Sequence, residues 1–121
     1  MSRRYFLLAP QAELASAMDK ANFKSEVLQW AERLDVKVKS IAVRPMTNKW
    51  ASCSTNGRLN FSAEVLLLDP QLRGYIVVHE LLHFSVPNHG RLWKSLMLAH
   101  LGDYEVSEQR LREIAEIRNA T

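Results

Sequence analysis

The sequence has few of the residues and runs that mark unusual protein classes. Its 121 residues include one cysteine, four glycines and four prolines. The single cysteine, Cys53, rules out an intrachain disulfide and favours the reducing cytoplasm. The low glycine and proline contents exclude collagen-like and low-complexity chains. No uninterrupted apolar run approaches the roughly 20 residues that cross a bilayer. We therefore expect a cytoplasmic protein that does not associate with membranes.

Apart from these absences, the composition is that of an ordinary globular protein. Hydrophobic residues make up 47% of the sequence, charged residues make up 24%, and the net charge is +3. This length and composition predict a single domain spanning residues 1–121. A chain of this length buries enough apolar surface to fold without a disulfide or a metal ion. A predicted metal site would therefore indicate function rather than structural support.

The spacing of apolar residues divides the chain into helices and strands. The dipeptide Asn56-Gly57 is typical of a tight hairpin turn between two strands. The dipeptide Asp69-Pro70 is typical of a helix start, because the aspartate can cap free amides and the proline fits the first helical position. The predicted helices cover residues 11–34, 70–84, 91–101 and 105–119, and the predicted strands cover residues 36–43, 49–54 and 58–62.

The order of these elements predicts the fold class. The strands are contiguous and the last three helices follow together, which is typical of an α+β fold. We expect a small, mostly antiparallel sheet of three or four strands, packed against the long N-terminal helix and the helix at residues 70–84. The helix at residues 70–84 is apolar nearly all round, which predicts that it lies in the middle of the core.

The segment His79-Glu80-Leu81-Leu82-His83 in this helix has the pattern H-E-x-x-H, which is typical of zinc peptidases. At about 100° per residue, His83 lies about 40° round the helix from His79 and one turn along, so both imidazoles can bind one ion. Glu80 is rotated about 100° from His79. The carboxylate of Glu80 therefore lies beside the ion, where it can act as the general base for water.

A catalytic zinc ion usually has three protein ligands, so a third ligand is needed. His89 is the favoured residue, because the break at Val86-Pro87 lets the chain turn back toward the helix. The alternative is a carboxylate further along, from Asp103 or Glu105. The competing interpretation of the whole pattern is a set of hydrogen-bonded core histidines, which would leave Glu80 in need of a partner in an apolar helix. The favoured site holds one zinc ion on His79, His83 and His89.

Several other residues have both a functional and a structural interpretation. Trp50, Ser52 and Cys53 lie on a predicted strand that could bind an extended peptide at a sheet edge, although core packing and hairpin pairing are the favoured explanation. Cys53 has no neighbouring base in sequence, which argues against a nucleophilic role. His100 and Tyr104 are expected to be buried and hydrogen-bonded rather than to contact the metal.

The sequence resembles the YgjP-like metallopeptidase domain family, which is similar to the wider WLM and SprT-like zincins. The resemblance covers about residues 11–119 and is carried by the segments at 49–54, 57–60, 75–83, 87–89 and 100–104, together with Trp93. Lys49, Ala51 and the pair Gly90-Arg91 depart from the family pattern. The resemblance implies a zinc peptidase fold with His79, His83 and His89 as ligands, Glu80 as base, and a peptide or protein as substrate.

Two other functions remain open at this point. The same scaffold could serve as a non-catalytic metal-binding or regulatory module, because a zincin motif persists in inactive relatives. It could also be a SprT-like protease that acts on protein bound to nucleic acid, since basic residues lie along the predicted strands. The basic residues are spread singly and have no aromatic residues between them. The favoured interpretation is therefore that they form a solvent-exposed face and do not bind nucleic acid. They are Lys37, Lys39, Arg44, Lys49 and Arg58.

Overall fold

The computed structural model describes residues 18–84, 86 and 88–120. Four helices and three strands follow one another in the predicted order, with a short 3-10 helix after the last strand. The part of the first predicted helix that precedes residue 18 lies outside the described residues. The helices are α1 Lys20–Leu34, α2 Pro70–Leu82, α3 Arg91–Leu101 and α4 Tyr104–Ala120; the strands are β1 Ser40–Arg44, β2 Ala51–Cys53 and β3 Arg58–Ser62; the 3-10 helix is Ala63–Leu67.

Helix α2 begins where the sequence predicts. The side chain of Asp69 accepts a hydrogen bond from the backbone N–H of Leu72 at 3.0 Å, and Pro70 occupies the first turn. The helix ends at Leu82, two residues before the predicted boundary, because the N–H of His83 bonds the carbonyl of Glu80 in a tighter final turn. The H-E-x-x-H segment therefore occupies the last turn of α2, with His83 as its C-cap.

The sheet has the strand order β1-β3-β2. The predicted hairpin is confirmed, since β2 and β3 pair antiparallel and Gly57 takes a φ of 90° in the turn. The expectation of a mostly antiparallel sheet is wrong for the other pair, because β1 runs parallel to β3. The loop at 45–50 carries the chain past the central position to the far edge, so that β3 returns between the other two strands in the direction of β1.

Strand β1 is shorter than the alternating pattern predicts. Its first residue, Ser40, is paired with Arg58, the first residue of β3. Before this pair, the N–H of Lys39 donates to the carbonyl of the turn residue Gly57 at 2.7 Å, and the strand register does not continue further. The predicted α+β fold class is confirmed by the element order, the small sheet and the cluster of C-terminal helices.

Helix α2 lies at the centre of the core and contacts α1, α3, α4 and β2. Its residues from Leu72 to Val78 are all buried, as the apolar pattern predicts. Helix α1 packs on the sheet through Phe23 and Phe61, whose rings meet edge to face at 5.0 Å. The buried guanidinium of Arg73 forms an ion pair with Glu26 of α1 at 3.2 Å. These contacts fix α2, and therefore the histidines at its end, relative to the rest of the domain.

Across the described ranges, none of the helices combines the length and the apolar character that a bilayer crossing requires.

Candidate metal centre

The structure brings together the three histidines that the sequence predicts as ligands. His79 lies in the last turn of α2, His83 caps that helix, and His89 lies in the loop before α3. One nitrogen of each ring can be chosen so that all three atoms lie within 4.8 Å of one another. The predicted alternatives, Asp103 and Glu105, are exposed and do not belong to this cluster.

The spacing of two ring nitrogens suits a tetrahedral ion. The Nε2 atoms of His83 and His89 are 3.3 Å apart. With zinc–nitrogen bonds of about 2.05 Å, the edge of a zinc tetrahedron is about 3.3 Å long. Three imidazoles also match the donor type that zinc takes in catalytic sites. The donor type of all three residues, and the separation of the His83 and His89 Nε2 atoms, therefore fit a zinc ion.

Burial keeps the ring of His79 in the neutral form that a metal needs. Removal from water, and then the charges of His83 and His89, lower the pKa of His79 to about 4. A neutral imidazole keeps a nitrogen lone pair for an ion. At neutral pH His79 is therefore ready to bind a metal without first losing a proton.

Trp93 of α3 holds the histidine that comes from the loop. Its ring stacks on His89 at a centroid distance of 4.4 Å and an angle of 26°, and it meets His79 edge to face at 5.3 Å. The Trp93 side chain is buried in the core. Sequence analysis did not assign Trp93 to the site, although its position four residues after His89, at the start of a predicted helix, was an available signal.

Glu80 lies against β2 rather than among the ligands. Burial raises the pKa of Glu80 to about 6, although a hydrogen bond with Cys53 and the positive charge of Lys49 oppose this shift. In turn, burial and the neighbouring Glu80 carboxylate raise the pKa of the Cys53 thiol. The thiol therefore stays protonated and donates to the carboxylate. Sequence analysis missed this contact, because Cys53 and Glu80 lie on different elements.

A cavity of about 330 Å³ opens beside His79 and Glu80. Its walls come from the β2 edge of the sheet, from α2 and from α4, and most of its lining is apolar. Trp50 and Ala115 both line it. Because β2 is the edge strand next to this cavity, the predicted peptide-binding edge and the histidine cluster lie side by side.

The remaining predicted residues lie away from the cluster. His100 is half-buried and lines a separate cavity with Glu26 and Trp30. Tyr104 is buried and meets Trp93 edge to face at 5.9 Å. Ser52 pairs with Asn60 in the hairpin. The five basic residues of the strand region are exposed, and of these Lys49 also lines the cavity beside Glu80.

The raised pKa of Glu80 predicts a pH-dependent difference in stability between the metal-free wild type and Glu80→Gln. The folded protein holds the Glu80 proton more tightly than the unfolded chain does, with a pKa of about 6 in place of 4.5. As the pH rises through this window, the unfolded chain loses its proton first, and the free energy of unfolding of the wild type falls relative to that of the variant. The total change is no more than about 2 kcal/mol.

Urea unfolding in the presence of a chelator, at several values between pH 4 and pH 7, measures this difference. The low pKa of His79 acts in the opposite direction, but it is common to both proteins and cancels in the comparison. Glu113→Gln, an exposed carboxylate of α4, is the control and should follow the wild type. If the free energy of unfolding depends on pH in the same way for the wild type and Glu80→Gln, then burial does not raise the pKa of Glu80.

Comparison with known proteins connects this geometry to a family. The model of the YgjP-like metallopeptidase domain matches residues 12–114. The metallopeptidase zymogen jannalysin from Methanocaldococcus jannaschii has a similar structure, with a TM-score of 0.67 and 28% identity over 78% of this chain and 96% of that one. The zymogen of Pyrococcus abyssi abylysin gives a TM-score of 0.66 and 20% identity over 78% and 95%, a likeness of fold alone. No curated protein sequence matches the chain.

Proposed function

Because the chain belongs to the YgjP-like metallopeptidase family, we propose that it hydrolyses peptide bonds with one zinc ion held by His79, His83 and His89 and with Glu80 as general base. The observation that carries this proposal is the convergence of three imidazoles beside one partly buried carboxylate. The three imidazole donors, and the 3.3 Å separation between the Nε2 atoms of His83 and His89, support zinc as the metal.

The residues of this chain divide the chemistry between them. A zinc ion, when bound, polarises the scissile carbonyl and acidifies water. With a pKa of about 6, Glu80 is ionised at neutral pH and accepts the proton of the attacking water. The same carboxyl group then returns that proton to the departing amine. The Cys53 thiol and the charge of Lys49 favour the ionised carboxylate and hold it on the β2 side of the site.

The cavity beside Glu80 supports a peptide substrate that runs along the edge of the sheet. An extended peptide can pair with an edge strand through backbone hydrogen bonds and place alternate side chains in pockets. Here the edge strand is β2, and the adjacent cavity of about 330 Å³ has mostly apolar walls. We propose that this cavity receives an apolar side chain of the substrate next to the bond that is cut.

Filling the cavity should therefore weaken substrate binding without affecting the metal. Ala115 lies on the α4 wall, and the Ala115→Leu exchange adds apolar volume where the substrate side chain would lie. We expect KM to rise roughly tenfold for peptides with a large apolar residue, since the loss of a few methylene contacts is worth about 1–3 kcal/mol. Zinc affinity should stay at the wild-type value.

Steady-state kinetics on matched peptides with a large or a small residue at that position measure this effect. Ala99→Leu is the control, because Ala99 is an exposed residue of α3 outside the cavity. An unchanged ratio of KM values for the two peptides would place the substrate side chain elsewhere.

The proposed activity is tested by incubating the protein with a peptide library and identifying products by mass spectrometry. We expect cleavage that a chelator stops and added zinc restores. The two similar structures described above are of zymogens, so the protein is assayed as purified and after limited proteolysis. Cleavage that persists in the chelator would contradict the metal mechanism, and absence of cleavage in both preparations after zinc loading would favour a non-catalytic module.

A further inference from the structure

We propose that Glu108 and Tyr75 form a hydrogen-bond chain that fixes the His79 ring with a proton on Nδ1 and Nε2 free for the metal, and that this chain sets the zinc affinity of the site. The inference rests on the proposed metal site and extends it to residues beyond the three ligands. Tyr75 and Glu108 are positioning residues, since both act through His79.

The distances define the chain from α4 to the ligand. The hydroxyl of Tyr75 donates to Oε2 of Glu108 at 2.8 Å. The same hydroxyl oxygen lies 3.4 Å from Nδ1 of His79. Tyr75 precedes His79 by four residues on α2, so the two side chains share one face of the helix. Glu108 reaches them from α4, which packs against α2.

The positions of the protons follow from donor and acceptor capacity. A carboxylate only accepts hydrogen bonds, and a tyrosine hydroxyl has a single hydrogen. Because that hydrogen points to Glu108, the Tyr75 oxygen can only accept from the histidine. Nδ1 of His79 must therefore carry the proton, and the lone pair of the neutral ring lies on Nε2. The other tautomer would place two acceptors against each other in a buried contact.

The surroundings restrict the movement of Tyr75, the central member of these hydrogen bonds. The Tyr75 side chain is buried, and its ring packs against the His79 ring at a centroid distance of 5.6 Å. Glu108 is held from its other side by Arg112, whose Nη2 is 3.4 Å from Oε1. A ligand that is oriented before the metal arrives loses less freedom on binding. Partners of this kind typically change metal affinity about 10- to 100-fold when removed.

Zinc affinity measured by competition with a chromogenic chelator tests the proposal. We expect Tyr75→Phe to raise the zinc Kd about tenfold or more, and Glu108→Gln to raise it by a smaller factor of about three to ten. The double variant should match Tyr75→Phe, because breaking one link already disconnects the chain. Tyr104→Phe and Glu113→Gln are the matched controls, and each should stay within about twofold of the wild type.

A second measurement separates positioning from structural support. In the zinc-free wild type, the nitrogen-15 shifts of the His79 ring should report the tautomer with the proton on Nδ1, and Tyr75→Phe should shift the population toward the other tautomer. Circular dichroism checks that each variant is folded. Should Tyr75→Phe not fold, Glu108→Gln, whose carboxylate is partly exposed, still provides both measurements.

The outcomes distinguish this inference from the proposed function. A variant with a lower melting temperature but an unchanged zinc Kd and an unchanged tautomer would show a structural role and overturn the chain. If the wild type binds zinc and neither Tyr75→Phe nor Glu108→Gln changes the zinc Kd, the proposed hydrogen-bond chain is wrong and the proposed function is not affected. Wild-type protein that binds no zinc would overturn the proposed function as well.

Discussion

Replacing Glu80 with glutamine is expected to reduce peptide cleavage about 10²- to 10⁴-fold while zinc binds as tightly as it does to the wild type. Glutamine keeps the shape of the side chain but cannot accept the proton of the attacking water. Glu80 contributes no atom to the ligand cluster, so the zinc affinity of the site should be unchanged. The measurement pairs single-turnover cleavage with a zinc titration of the same preparation.

Two comparisons make this result specific. Glu113→Gln removes an exposed carboxylate from α4 and should cleave like the wild type. His79→Ala removes a proposed ligand and should lose zinc. If Glu80→Gln loses zinc to the same extent as His79→Ala, then Glu80 is a ligand or a structural partner, and its assignment as general base is wrong.

Replacing His89 with alanine should weaken zinc binding by about 100-fold or more while the helix content stays near that of the wild type. His89 is an exposed loop residue that lies outside the hydrophobic core. A core that includes Phe23, Phe61 and Trp93 does not need the metal to fold. Zinc titration followed by far-ultraviolet circular dichroism measures both quantities on one sample.

The fourth histidine provides the control for this exchange. His100 lines a separate cavity and is not in the cluster, so His100→Ala should bind zinc normally. Unchanged zinc affinity and stoichiometry in His89→Ala would mean that another group is the third ligand. Asp103→Asn and Glu105→Gln would then identify which of the two carboxylates replaces it.

Local signals in the sequence predict much of this fold. The cap and proline at Asp69-Pro70 predict the start of α2, and the Asn56-Gly57 turn predicts the hairpin, because both depend on backbone conformations that neighbouring residues determine. The spacing of His79 and His83 follows from helix geometry in the same way. The family resemblance, whose segments include residues 57–60 and 75–83, is confirmed by the match of the family model to residues 12–114.

Contacts between distant elements could not be predicted from local signals. The parallel pairing of β1 with β3 depends on where the loop at 45–50 crosses, which no residue of β1 specifies. The contacts of Tyr75 with Glu108 and of Cys53 with Glu80 depend on how α4 and β2 pack against α2. Trp93 lies near the start of a predicted helix, and its stacking on His89 depends on how α3 packs beside the end of α2.

The most direct test of the central claim is a zinc titration of metal-depleted protein that records peptide cleavage at each step, with Glu80→Gln measured in parallel. We predict no cleavage without metal, a rise in wild-type activity that stops at one zinc per chain, and equal zinc uptake by the variant with little or no cleavage. Cleavage by the metal-depleted wild type, or wild-type rates from the zinc-loaded Glu80→Gln protein, would contradict the account.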